Sequence, residues 1–382
     1  MKNKKTLLMI PLVVVIACLF WFVFNNDFSK FISNKSDESL KILKWNNFYN
    51  GDNVQMYYMN HNNENIRKFG NSHNLEELIA SDTTSIEKCK TFFKWMDGNI
   101  QYKKNAIYLS KDAYEIEFKK DEKIIMNNDE IAEFFNEGMA YFKVYSRTGV
   151  LVGDINSEMN EYIYRINEFW SSEHEKWIAV DSSEGVMFFK DGIPLSGSEL
   201  IISNNGEVEF VSINDKKINE QYKSFLGKFN YAYSIKIDNN KYGEGVINSL
   251  VTYTKKTPFL MIKNVFYTPS IFVNKASLFD KSPHIKYVNE LSDKEAIMIF
   301  GRKKTVNTDE NQTYLAVGVM SNSEMLQEYY YSTNGSDWLN VDGEYHFFCA
   351  LKNGENKVKI SLDGKEILKE VVFEYENNEI KK

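Results

Sequence analysis

Cysteine, proline and histidine are all scarce in this chain of 382 residues, with three, five and five copies respectively. Cys18 lies in an apolar run near the N-terminus, Cys89 in a helical pattern and Cys349 in a strand pattern. Separated in this way, the three offer no disulfide framework, and Cys89 and Cys349 read as small buried hydrophobes. No two cysteines have metal-ligand spacing, and His61, His73, His174, His284 and His346 are scattered, so neither a metal nor a cofactor is expected. The chain also lacks a glycine-rich phosphate loop and a serine-centred elbow. Its net charge of −7, with acids and bases interspersed, argues against nucleic acid as a partner.

Charge is absent from Leu7 to Phe24. A helix of that length rises about 27 Å, close to the hydrocarbon thickness of a bilayer. A buried core helix would instead show a polar face. Lys2, Lys4 and Lys5 precede the run and Asn25-Asn26-Asp27 follows it, which orients the N-terminus inward and the body outward. Val15-Ile16-Ala17-Cys18 resembles a lipobox, which would put a lipid on Cys18. The apolar run continues past it through Leu19-Phe20-Trp21-Phe22-Val23-Phe24, and no small-x-small cleavage site follows. An uncleaved anchor is therefore expected over 1–24, ahead of a lipoprotein or a cleaved signal. The expected partners are the membrane and a cell-surface protein or glycan.

Beyond a polar tether at 25–39, the body is long enough for two or three domains. Its aromatic content of 15% supplies ample core material. Caps at Ser81 to Ser85 precede Ile86, Cys89, Phe92, Phe93 and Met96 on one helical face, ending near Asp97-Gly98. A second helix is predicted from Asn127-Asn128-Asp129 through Ile131, Phe134, Phe135, Met139, Phe142 and Tyr145 to Gly149. Strands then alternate over Glu161 to Trp170, Lys176 to Asp181 and Gly185 to Lys190. The stretch 206–280 shows strand-like runs without a motif and reads as a β-rich connector. From Ala296 onward, short β runs are punctuated by Asn334-Gly335, Asp342-Gly343, Asn353-Gly354 and Asp363-Gly364, which suggests an immunoglobulin-like β-sandwich over 281–382.

The middle of the chain resembles a known family. Glu168-Phe169-Trp170, a turn, Lys176-Trp177-Ile178-Ala179-Val180-Asp181, and then Asp191-Gly192-Ile193-Pro194-Leu195-Ser196 are similar to the transglutaminase-like, papain-related superfamily. Ile86 to Tyr102 is similar to the helix that ends in Ile-x-Tyr there. The fold class implied is α+β: one transmembrane helix, a transglutaminase-like domain over 40–205, and the sandwich. The resemblance also implies a Cys nucleophile near the start of the second helix, a His four residues before the Glu, and an orienting Asp. A helix N-terminus favours a thiolate, and the His completes the ion pair.

Carried over, the pattern is degenerate. Counted back from Gly149, the Cys position falls at Phe134, and Met126 to Tyr145 contains no Cys, Ser or Thr. The His position falls at Tyr164, and Ser157 to Trp170 contains no His. Only the acid is matched, at Asp181. The resemblance thus implies a catalytically inactive member acting as a scaffold or binding module. Phe134 is expected to fill the vacated pocket, and Tyr164 either bonds Asp181 or packs. Trp170 and Trp177 are expected in the sheet core, with Trp177 a candidate cleft wall; with Glu168 they are the binding candidates. The alternative is an active hydrolase or transferase using a relocated nucleophile, or a carboxylate pair drawn from Glu133, Glu137, Asp154, Glu161, Glu168 and Asp181.

Overall fold

A computed structural model describes residues 38–52, 54–109, 111–154, 162–203, 205–238, 249–260, 269–285, 295–305, 313–321 and 324–377. The expected anchor, Cys18 and nearly all of the tether lie outside the described residues. Among those described, no helix is long and apolar enough to cross a membrane.

The protein is α+β. Strand β1 (Glu38–Asn46) is followed by helices α1 (Glu64–Ser72) and α2 (Ser85–Asn99), then by β2 (Ile100–Tyr102), β3 (Ile124–Met126) and helix α3 (Asn128–Tyr141). Helices α2 and α3 both start on capping boxes, Thr84 with Glu87 and Asn127 with Glu130, which satisfy otherwise orphaned amides. Helix α3 stops eight residues before the predicted Gly149. Lys143 adopts a left-handed backbone with φ 60°, and Val144 N donates to Met139 O, closing the helix end. Residues 146–149, assigned to the helix from sequence, belong to β4 (Ser146–Val152) instead. Pairing on both sides overrides local pattern there.

Beyond β4 come β5 (Ile163–Ser171), β6 (Lys176–Asp181), β7 (Val186–Lys190), β8 (Ile193–Pro194), α4 (Gly197–Ile202), β9 (Glu209–Ser212), α5 (Glu220–Leu226), β10 (Ala232–Lys236), β11 (Leu250–Thr254) and β12 (Ser270–Val273). The meander β5–β6–β7 matches expectation, and Asp191-Gly192, with φ of 52° and 75°, makes the two-residue turn into β8. Strands β10, β11 and β12 are no separate connector. They extend one sheet in the order β12-β11-β10-β4-β5-β6-β7-β8, with β9 on β7, so this sheet runs across the expected boundary at 205.

The sheet separates two cores. On one face α2 and α3 bury Phe92, Phe93, Phe134 and Phe135 against Phe169, Ile178 and Val180. The other face carries Tyr164, Ile166, Phe188 and Tyr233, covered by Leu226, Phe229 and Phe279. Side-chain alternation along β5 and β6 assigns each residue to its face.

The C-terminal strands are β13 (Ile297–Thr305), β14 (Thr313–Ser321), β15 (Glu324–Met325), β16 (Glu328–Thr333), β17 (Leu339–Asp342), β18 (His346–Ala350), β19 (Gly354–Ser361) and β20 (Lys369–Asn377). They form two antiparallel sheets around a shared core that includes Met298, Val317, Cys349, Val358 and Phe373. Strand β1 completes the larger of these sheets by pairing with β20, from Glu38 opposite Asn377 to Asn46 opposite Glu370. The sequence reading placed residues 40–46 in the central region. A lone alternating strand carries no mark of its partner.

Gly185, in the β6–β7 turn, has φ 67°, and a Cβ there would stand 2.0 Å from the Phe93 ring. Gly185→Ala therefore combines left-handed strain with overpacking, and is expected to cost about 2–5 kcal/mol in urea unfolding.

Candidate functional site

Asp181 ends β6 and is fully buried. Its Oδ2 accepts hydrogen bonds from Tyr164 Oη at 2.9 Å and Tyr222 Oη at 2.8 Å. Its Oδ1 accepts from Ser183 N at 2.9 Å and Glu184 N at 3.2 Å. An ionised carboxylate has about four acceptor sites, and here four donors occupy them. Burial pushes the Asp181 carboxyl above its usual value, against the four bonds, which favour the anion. Burial, and then the Asp181 charge, hold the Tyr164 and Tyr222 phenols well above theirs. Helix α5 brings Tyr222 to this cluster and sets Phe225 edge-on to Tyr164 at 5.2 Å. The cluster is therefore closed from above by α5.

The structure brings Tyr164 and Asp181 together, and Phe134 does not join them. Phe134 is the seventh residue of α3, on the opposite face of the sheet. It packs edge-on against Phe69 at 4.9 Å and stacks on Trp95 at 6.1 Å. The residue at the helix start is Asn128. Its Nδ2 donates to Arg165 O and Ser183 Oγ, both at 2.9 Å, and its Oδ1 accepts from Arg165 N at 2.7 Å. Asn128 thus joins the neighbours of Tyr164 and Asp181 in the chain. The sequence count was taken from Gly149 as the helix end. The helix ends at Tyr141 instead, eight residues earlier. The signal available in the sequence was the N-cap at Asn127.

Glu168, Trp170 and Trp177 are interior groups. Glu168 Oε2 accepts from Arg147 Nε at 2.7 Å and from Tyr233 Oη, and its Oε1 accepts from Gly197 N at 2.7 Å. Trp177 carries the Arg147 guanidinium on its face at 3.9 Å and donates from Nε1 to Lys281 O. Trp170 packs edge-on against Trp177 and is 7% exposed. Neither Glu168 nor Trp177 reaches solvent.

Other chemistry is not assembled among the described residues. Cys89 and Cys349 are buried thiols, both pushed up by desolvation, Cys349 to about 12. No group of three His, Cys, Asp or Glu side chains stands close enough to hold a metal ion. Of the six acids weighed from sequence, Glu161 lies outside the described residues. Glu137 is half-buried on α3, and burial, with Asp112 and Glu133 nearby, pushes its carboxyl up to about 7. Comparison with family models, with curated proteins and with solved structures found no match for this chain.

Tyr222→Phe removes one donor from Asp181 and is expected to cost about 1.5–3 kcal/mol. Because the folded-state pKa of Asp181 is raised, its contribution is present below the usual 3.8 and is lost as pH rises through the folded value. Losing a bond that lowers this pKa makes the decline steeper, so the stability difference between the two proteins should be wider at pH 7 than at pH 3. The same sign applies to Glu137, whose folded value of about 7 lies above its usual 4.5. Glu137→Gln should raise the melting temperature above pH 7 and leave it nearly unchanged at pH 4.

Proposed function

We propose that this chain is a membrane-held, extracytoplasmic protein whose central sheet is a catalytically inactive relative of the transglutaminase-like enzymes. In this reading it works as a scaffold or binding module, and its C-terminal sandwich is an immunoglobulin-like spacer or binding domain. One observation carries the proposal: the Asp181 carboxylate is saturated by two phenols and two backbone amides. An acid that orients a histidine must keep an oxygen for the imidazole N–H. Asp181 keeps none, and a tyrosine stands where the base would be.

The position of Asn128 supports the same reading. It takes the helix-start place that the resemblance reserves for the nucleophile. A carboxamide oxygen bonded to a backbone amide is a poor nucleophile, and the whole side chain is used to clamp β5 to the turn after β6. In this reading the polar side chains at these positions serve structure, and the groups that would move protons and electrons are replaced. The lysine-flanked apolar run at 7–24 supports the membrane location.

The test is an activity screen on the purified full-length chain in detergent, with amide, peptide and amine-crosslinking substrates. No turnover above background is expected, with or without iodoacetamide. Iodoacetamide-sensitive amidase, protease or crosslinking activity would overturn the proposal.

A further inference from the structure

A groove of about 620 Å³ runs between α1 with the turn that follows it and the corner where α3 hands over to β4. That volume lies within the usual range of small-molecule sites, about 300–1,000 Å³. Its lining is mixed: Ile66, Ile79 and Phe142 give it an apolar floor, and Asn62, Arg67, Asn71, Glu76 and Lys143 supply polar groups of both signs. Arg67 and Glu76 are exposed. Arg67 forms no ion pair, and Glu76 has no hydrogen-bond partner, among the described residues. Their planar, forked groups stand free at the groove.

One wall is held by a residue in an unfavourable conformation. Lys143 occupies the left-handed position that closes α3, where glycine is the usual choice because it lacks a Cβ. Its side chain reaches across to the opposite wall, where Nζ donates to His61 O at 2.6 Å and to Asn62 Oδ1 at 3.4 Å. Glycine there would relieve the backbone and release that wall. Strain kept at such a point is a pointer to function.

At one end the groove is lined by the His61 ring. Behind it, the ring lies 4.5 Å from Tyr145, tilted by 46°, and Tyr145 meets His284 edge-on at 5.1 Å. Burial, with Lys143 and His284 beside it, keeps His61 below its ordinary pKa, so this ring is uncharged at neutral pH.

These features select a ligand class. Two acids, Glu64 and Glu76, face two bases, Arg67 and Lys143, so neither an anion nor a cation is favoured as such. Carboxamides, a guanidinium and carboxylates are suited to neighbouring hydroxyls, and an uncharged ring beside apolar side chains suits the C–H face of a sugar. Strand addition by an extended peptide would need an unpaired strand edge, whereas these walls are helices and helix ends. We propose that the groove binds a neutral oligosaccharide, with Arg67 and Glu76 bonding ring hydroxyls and the His61 ring packing on a sugar. The proposal rests on the reading of the chain as a binding module, but it uses residues remote from Asp181, on the helical side of the sheet.

The test is calorimetric titration of the full-length chain in detergent with neutral oligomers of glucose and of N-acetylglucosamine, with a sulfated oligosaccharide and an unstructured peptide as comparators. A neutral oligomer should bind with a Kd between about 1 µM and 1 mM. Arg67→Ala and Glu76→Ala should each weaken it at least tenfold without lowering the melting temperature, and Lys143→Gly should weaken it while the chain stays folded. Tyr345→Ala, on the distant C-terminal sandwich, should leave it unchanged. Co-sedimentation with the corresponding insoluble polymer distinguishes a wall polymer from a free saccharide as the source, and binding to either supports the site. Failure of every neutral oligomer to bind, preference for the sulfated sugar or the peptide, or binding insensitive to Arg67 and Glu76 would overturn it. Iodoacetamide-sensitive turnover would overturn the inactive-enzyme reading and leave the saccharide result standing.

Discussion

The ion pair between Arg147 and Glu168 holds the middle of the molecule together. Both side chains are buried, where leaving either charge unpaired costs about 3–5 kcal/mol. Most of the pair's other contacts come from distant parts of the chain. Arg147 reaches Phe279 O and lies on Trp177, while Glu168 accepts from the first residue of α4 and from Tyr233 on β10. The segments carrying Trp177, Gly197, Tyr233 and Phe279 must all assemble around the pair, and even then Arg147 Nη1 stays buried without a hydrogen-bond partner. This requirement makes β10 to β12 part of the central sheet rather than a connector.

The same economy governs Asp181. A buried carboxylate with four donors stabilises a turn, two tyrosines and the helix that carries one of them. It has no lone pair left for chemistry. Asn128 and Asn167 repeat the pattern on the helical face. Asn167 donates to Ala132 O and Asn136 Oδ1 and accepts from Ser182 Oγ. Polar groups at the centre of this protein are spent on register and on helix docking. Arg67 and Glu76, on and just after α1, are exposed instead.

Legibility in the sequence followed locality. The β5–β7 meander and most C-terminal strands were readable because alternation and turn residues lie within ten positions of one another. The start of α3 was readable from Asn127 and Glu130. Its end was not, because the closing left-handed residue is a lysine, and Gly149 looked the better terminator. That displacement put the origin of the count eight residues past the helix's last residue. Tyr164 and Asp181 were found because the count to them ran along paired strands. Arg147, Tyr222 and Tyr233 were missed, since nothing local tells a tyrosine which buried carboxylate it will meet. The partner of β1 was hidden for the same reason, carried to its extreme.

That last pairing has a consequence for biosynthesis. Lys44 of β1 and Glu370 of β20 are 326 residues apart. At about 5–20 residues per second, β1 is made some 15–65 s before the strand that completes it. During that interval its backbone donors and acceptors have no sheet to join, and a strand left waiting is a template for the wrong neighbour. Lys41 and Lys44, spaced among Leu40, Ile42, Leu43 and Trp45, would discourage such pairings between nascent chains. The C-terminal sheets are thus completed by the first of the described strands to be made, and only when the last of these has arrived.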